Sequence, residues 1–172
     1  MKTAILILAI GGALVLQTTL AGVMAGGSIA VNLVLVAIVY LALAYGAVTG
    51  VLAGMLGGIA QDALAGGLVG LGGMTKTLIG FVVGVLGAQF NLSTTVPRMV
   101  MFLAATFVHQ LVFESLSAMI GGRHFSPQWT ATLVQALTNG LIGVLVFTVI
   151  ENGPGALQSR RMRRTSLSKR RF

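Results

Sequence analysis

The sequence predicts an all-α integral membrane protein with about six transmembrane helices in one compact bundle. Apolar residues make up 56% of the 172 residues and charged residues only 8%, far below the roughly 25% of an average soluble domain. So few charges cannot cover a surface that faces water, and lipid is therefore the expected solvent. The 24 glycines against 3 prolines indicate closely packed helices rather than disordered chain, because small residues let membrane helices approach each other.

Apolar runs of about 20 residues, the length that crosses a bilayer, divide the chain into six predicted spans. Pro97 opens the fifth run, Pro127 precedes the sixth and Pro154 follows it, so no proline interrupts a span. We predict a transmembrane domain over residues 1–151 and a basic cytoplasmic tail over residues 152–172. The predicted spans are residues 3–23, 29–45, 46–61, 75–90, 96–120 and 129–150.

The start of the chain has a second interpretation. Lys2 is followed by an apolar run and by small residues near Ala21 to Gly26, a pattern that a cleaved signal peptide would also show. We expect a span instead, because this run is long enough to cross the bilayer by itself.

Most of the positive charge follows the last span. Seven of the 11 Lys and Arg residues lie between Arg160 and Arg171. With six spans both termini share one side, and Lys2 and Arg98 fall on the side of the tail, opposite Lys76 and Arg123. The positive-inside rule then places both termini in the cytoplasm. We expect the tail to contact the anionic leaflet of the lipid bilayer and no nucleic acid.

A ladder of glycines marks the third predicted span. Each member follows the previous one by four residues, so all lie on one stripe of a helix. Overlapping GxxxG units leave a groove without side chains, against which another helix can pack closely. The ladder comprises Gly46, Gly50, Gly54 and Gly58 and ends in an acid, Asp62.

The fourth span offers a partner for this groove. An antiparallel hairpin that pivots near residue 69 would place Gly58 opposite Gly80, Gly54 opposite Gly84 and Gly50 opposite Ala88. The same register predicts an ion pair between Asp62 and Lys76, so exchanging the two charges should restore folding. Asp62 could alternatively cap the glycine-rich loop over residues 65–73 or form a proton or ion site. In this register the face of Gly46 is free for a foreign helix.

Polar residues form two further stripes, in the fifth and sixth spans. Gln110 and Glu114 share one helical face, and Gln135 and Asn139 share another. Antiparallel pairing predicts an intramembrane network in which Glu114 meets Gln135 and Gln110 meets Asn139. Such interhelical bonds contribute roughly 0.6–2 kcal/mol each. We expect Glu114 to be a structural and neutral hydrogen-bonding group, because burial disfavours a charged carboxylate.

No residue pattern indicates catalysis. The chain has no cysteine, and no nucleophile, base and acid occur at a spacing typical of an active site. A lone histidine such as His109 is expected to take part in packing rather than to bind a metal. We predict that the protein is not an enzyme and has no catalytic residues, no cofactor and no metal site.

The hairpin sequence resembles the signature of the MreD family of rod shape-determining membrane proteins. That signature reads approximately G-x-x-x-G-[ML]-x-x-D, followed eight residues later by Gly-Leu, and its positions are occupied here by Gly54, Gly58, Asp62, Gly70 and Leu71. The second span resembles the family's corresponding helix, although Val31 and Asn32 stand where the family often has Pro and Asp.

The resemblance implies a fold similar to the substrate-binding subunits of energy-coupling-factor transporters. It also implies a non-catalytic scaffold in the bacterial cytoplasmic membrane that binds MreC and helps regulate peptidoglycan synthesis and cell shape. The implied assembly contains RodA, a class B penicillin-binding protein and MreB. A vitamin-type transporter subunit is the alternative, for which a ligand site would involve the outer-loop residues Arg123, His124, Phe125 and Trp129.

Overall fold

A computed structural model describes residues 2–23, 31–66, 68–90, 94–122 and 124–152. The predicted tail beyond residue 152 and Arg123 lie outside these residues, as does most of the segment in which a signal peptide would be cleaved. The described residues contain six α-helices and no strand. The helices are α1 (Lys2–Val23), α2 (Leu33–Tyr45), α3 (Ala47–Ala65), α4 (Leu71–Gln89), α5 (Thr95–Gly121) and α6 (Trp129–Asn152).

The shortest helix, α2, lies at the centre and contacts each of the other five helices. Val34, Leu35, Ile38 and Leu41 are all 0% exposed, as expected of a helix that is apolar on every side. One face of α2 packs with α4, α5 and α6 around Phe102. The opposite face packs with α1 and α3, so the sequence of α2 carries no polar face.

Four of the helices, α3 to α6, are long and apolar enough to cross a membrane. α1 has 22 residues, whereas α2 has only 13. A helix of that length extends for about 20 Å, less than the roughly 30 Å of a hydrocarbon core. The sequence predicted six spans; the described residues form six helices, of which α3 to α6 qualify as spans by length and composition and α2 is too short to cross the core by itself.

Both helices of the α3–α4 hairpin extend further towards their turn than the sequence predicted. The third span was expected to end at residue 61 and the fourth to begin at residue 75, but the helices end at Ala65 and begin at Leu71. Gly72 and Gly73 were interpreted as loop because glycine weakens helices. They are helical because they pack directly against α3: a methyl group on Gly73 would lie 2.9 Å from Ile59.

Candidate functional site

The glycines of the ladder line the closest helix contact among the described residues. A β-carbon on Gly54 would lie 2.5 Å from the carbonyl oxygen of Lys76, and one on Gly58 would lie 2.5 Å from the α-carbon of Gly73. A β-carbon on Gly50 would overlap the backbone of Gly80. The two backbones are therefore in direct contact, as small residues allow.

The register of this contact differs from the predicted one by about two helical turns. Gly50 faces Gly80 rather than Ala88, and Gly54 faces Lys76 rather than Gly84. Gly84 instead contacts Ala47. The predicted pairing treated residues 72 and 73 as loop, whereas they belong to α4 and lie beside Asp62 and Gly58, where residues 76 and 80 were expected.

Gly46 is half-buried, and a β-carbon built on it would meet no atom within 4 Å, so the side that the sequence predicted to be free is open. Gly46 ends α2 and precedes α3 with φ of +91°, a conformation that side chains other than glycine adopt with strain. Its carbonyl carbon would lie 2.9 Å from a β-carbon on Gly84. Gly46 is therefore the corner between two helices and the last backbone contact of the ladder.

Asp62 caps the first turn of α4. Its Oδ2 accepts hydrogen bonds from the backbone N–H groups of Gly70 at 2.9 Å, Gly72 at 2.8 Å and Gly73 at 3.3 Å. Helix N-termini carry unpaired N–H groups and a partial positive charge, and a carboxylate satisfies both. Asp62 therefore caps backbone N–H groups, as one of the alternatives from the sequence stated. The predicted ion pair with Lys76 is absent from the described residues.

Lys76 and His109 are buried in the same region. Lys76 is 2% exposed and His109 is 3% exposed. The imidazole Nε2 lies 3.5 Å from the hydroxyl of Thr75, and the ring stacks at 6.0 Å on Phe113. No cluster of three His, Cys, Asp or Glu side chains with the spacing of a metal site occurs within the described ranges.

Asn139, one of the four predicted network residues, joins three helices. Its Oδ1 accepts the backbone N–H of Asn32 at 3.0 Å, and its Nδ2 donates to the hydroxyl of Thr106 at 3.3 Å. The side chain of Asn32 in turn caps α2 by accepting from the N–H of Leu35 at 3.0 Å. Asn and Asp are equally good in this capping role, so Asn32 can replace the acid frequent in the family.

The rest of the predicted network is arranged differently. Gln110 donates to Glu114 at 2.9 Å along one face of α5, instead of reaching Asn139. Gln135 is half-buried on α6, and no hydrogen bond in the described chain joins it to Glu114. Asn139 meets Thr106 one turn before the predicted position because it also has to reach the start of α2.

The structure contains an ion pair that the sequence did not predict, between the start of α5 and the end of α6. Arg98 donates two hydrogen bonds to the carboxylate of Glu151, at 2.7 and 2.8 Å. The guanidinium also lies 4.2 Å from the centre of the Phe147 ring, which packs at 5.0 Å against Tyr40. A cation near the start of a helix and an acid near the end of a helix each interact unfavourably with the helix dipole. Finding both in successive helices was the sequence signal that could have indicated the pair.

We expect Arg98→Ala to lower the free energy of unfolding by about 1.5–3 kcal/mol, the usual contribution of hydrogen bonds to charged groups. Arg98→Lys should cost less, because lysine keeps the charge but loses the two-pronged geometry. Thermal unfolding of the purified protein in detergent measures both. An unchanged midpoint for Arg98→Ala would show that the pair contributes nothing to stability.

An apolar groove follows the outward side of the α3–α4 contact, and we call it the hairpin groove. Its volume is about 810 Å³. Its wall includes two glycines, Gly70 and Gly73, and the small polar residue Thr77. One lining residue, Ile120, belongs to α5. The remaining lining residues are apolar: Val51, Met55, Ile59, Leu68, Val69, Leu71, Met74, Leu78 and Phe81.

A polar cavity of about 410 Å³ lies between α5 and the segment that leads to α6, and we call it the loop cavity. His124 is in its wall, whereas Phe125 and Trp129 are about half exposed. Of the described outer-loop residues proposed for a vitamin-type site, His124 lines this cavity and Phe125 and Trp129 do not. Glu114 and Gln110, from the predicted intramembrane network, line it as well.

Comparisons with known proteins identify one family. Residues 1–152 match the model of the family described as rod shape-determining protein MreD. Neither the curated proteins nor the solved structures contain a match to this chain. The family model covers all six helices, including the glycine ladder, its capping aspartate and the α5–α6 hairpin. The chain therefore belongs to the MreD family of rod shape-determining proteins.

Proposed function

We propose that this protein is a non-catalytic membrane scaffold of the bacterial cell-wall elongation complex and that it binds the single span of MreC. RodA, a class B penicillin-binding protein and MreB belong to the same assembly in this proposal. The protein lies in the cytoplasmic membrane with both termini inside. Its helices follow an arrangement similar to that of the substrate-binding subunits of energy-coupling-factor transporters.

The hairpin groove is the observation that supports partner binding. Its walls are apolar, which suits a membrane-spanning helix, and Gly70, where a β-carbon would meet no atom within 4 Å, would let that helix come close. Because α3 and α4 are in backbone contact along the ladder, the groove has a rigid floor. Gly50, Gly54 and Gly58 are occupied by contacts within the chain, so the partner surface in this proposal is the outward side of the hairpin.

Filling the groove should weaken the binding of MreC. Met74 is 69% exposed in its wall, so Met74→Trp should leave the yield of folded protein unchanged while blocking a close helix contact. We expect co-purification of MreC to fall about tenfold, which corresponds to about 1.4 kcal/mol. The matched control is Leu145→Trp on α6, where the side chain is 62% exposed and outside the groove.

Two readouts separate the outcomes of this experiment. The first is the monodisperse yield of each variant, and the second is the amount of MreC recovered with it. If Met74→Trp retains MreC at the level of the wild type, the hairpin groove is not the interface. If Leu145→Trp alone loses MreC, the partner lies on α6.

A further inference from the structure

The loop cavity has two walls of different origin. One wall is a single face of α5, where residues spaced by three and four positions project together. The other wall is the segment of residues 124–128, which returns towards α6. The side chains on α5 are Gln110, Phe113, Glu114, Ser117 and Ala118, and those of the segment are His124, Ser126 and Gln128.

Glu114 has one carboxylate oxygen without a partner in this cavity. Its Oε1 accepts the hydrogen bond from Gln110 at 2.9 Å. Its Oε2 is shielded from solvent and has no hydrogen-bond partner among the described residues. A buried carboxylate oxygen without a donor is unfavourable, so the cavity favours an occupant that supplies one.

The charge of the walls selects the kind of donor. Among the described residues that line the cavity Glu114 is the one acid, and the others provide hydroxyl, amide, imidazole and apolar groups. A primary ammonium is compact, carries three N–H donors and has no acceptor. One of its N–H groups can pair with the carboxylate of Glu114 once the side chain turns the shielded Oε2 towards the cavity, while the hydroxyl and amide oxygens of the walls can accept the others.

The position of Glu114 along α5 suits an occupant from the membrane surface. α5 has 27 residues and is therefore about 40 Å long, which exceeds the roughly 30 Å hydrocarbon core. Glu114 lies seven residues before Gly121, the end of the helix, or about 10 Å along its axis. With α5 centred on the core, the carboxylate lies about 5 Å inside the boundary between hydrocarbon and headgroups.

We propose that the loop cavity binds a primary ammonium group, with Glu114 as its counter-ion. The ammonium can come from the headgroup of phosphatidylethanolamine or from a soluble amine, since both present the same chemistry. The proposal is independent of partner binding at the hairpin groove, because the two sites share no lining residue.

The single tryptophan of the chain provides the readout. Trp129 directly follows Gln128 of the cavity wall, so its fluorescence should respond to occupancy. The protein is placed in nanodiscs of phosphatidylcholine with phosphatidylglycerol and titrated with ethanolamine. Choline serves as the control probe, because it has the same charge and no N–H group. Glu114→Gln and Ala118→Phe are the variants, and the second fills the cavity without changing the carboxylate.

We expect a saturable response to ethanolamine and none to choline. Glu114→Gln should weaken the apparent affinity about tenfold, or about 1.4 kcal/mol, and Ala118→Phe should remove the response. Nanodiscs in which phosphatidylethanolamine replaces phosphatidylcholine distinguish the sources. A response that disappears there identifies the lipid headgroup as the occupant, and an unchanged response identifies a soluble amine.

Three results would overturn the proposal. They are equal responses to ethanolamine and choline, an unchanged affinity in Glu114→Gln, and no saturable response in the phosphatidylcholine nanodiscs. Size-exclusion chromatography and helical circular dichroism establish that each variant is folded. If Glu114→Gln does not fold, Ala118→Phe decides the question, and an undiminished response in that variant would count against the cavity.

Discussion

Gly80→Ala is expected to reduce the yield of folded protein severely, although alanine is the better helix former by about 1 kcal/mol. The added methyl group would overlap the backbone of Gly50 and lie 2.6 Å from its carbonyl carbon. Backbone atoms cannot move aside as the end of a side chain can, so the two helices would have to separate. Overpacking of a core typically costs about 1–3 kcal/mol and occasionally more, and we expect this substitution to lie at or above that range.

The same substitution in α1 is the control for Gly80→Ala. No heavy atom lies within 4 Å of a β-carbon built on Gly12, so Gly12→Ala should leave stability unchanged or raise it. Thermal unfolding and monodisperse yield in detergent measure both variants. A Gly80→Ala protein as stable as Gly12→Ala would show that α3 and α4 are not in backbone contact.

Exchange of the charges at positions 62 and 76 should fail to restore folding. The Oδ2 atom of Asp62 accepts three backbone N–H groups at the start of α4, and a lysine at that position has no acceptor to offer them. We expect Asp62→Ala to lower the free energy of unfolding by about 1.5–3 kcal/mol. The double variant Asp62→Lys, Lys76→Asp should be at least as unstable.

Two further variants make this result interpretable. Asp62→Asn keeps an acceptor oxygen and loses the charge, so it should retain more stability than Asp62→Ala. Lys76→Met should cost less than Asp62→Ala, because the described residues show no ion pair that it would break. If the double variant regains the stability of the wild type, charge pairing rather than capping is the role of Asp62.

The membrane class of the protein and its division into helices could be predicted because the surrounding lipid imposes both. A chain with 8% charged residues has to be covered by lipid, and lipid requires that each spanning segment satisfies its own backbone hydrogen bonds. The spacing of Gly50, Gly54 and Gly58 similarly predicts a close helix contact, since residues four apart share a helical face. These inferences use only local spacing.

The polar contacts could not be predicted in the same way. Arg98 and Glu151 are 53 positions apart, and Asn32 and Asn139 are 107 positions apart. At such separations many pairings are compatible with the same sequence. The prediction for Asp62 and Lys76 chose a pairing by chemical type, whereas the structure satisfies the carboxylate with nearby backbone N–H groups.

The sequence by itself determined that the chain is a helical membrane protein, that its third helix carries a small-residue stripe, and that it resembles the MreD family. Only the tertiary structure decided which residues meet across that stripe. A ladder with a four-residue repeat offers equivalent contacts at each turn, so its spacing does not distinguish one register from the next. The cap that Asp62 provides selects one of them, because it holds the first turn of α4 beside Asp62, about one turn before the end of α3, and thereby brings Gly73 against Gly58.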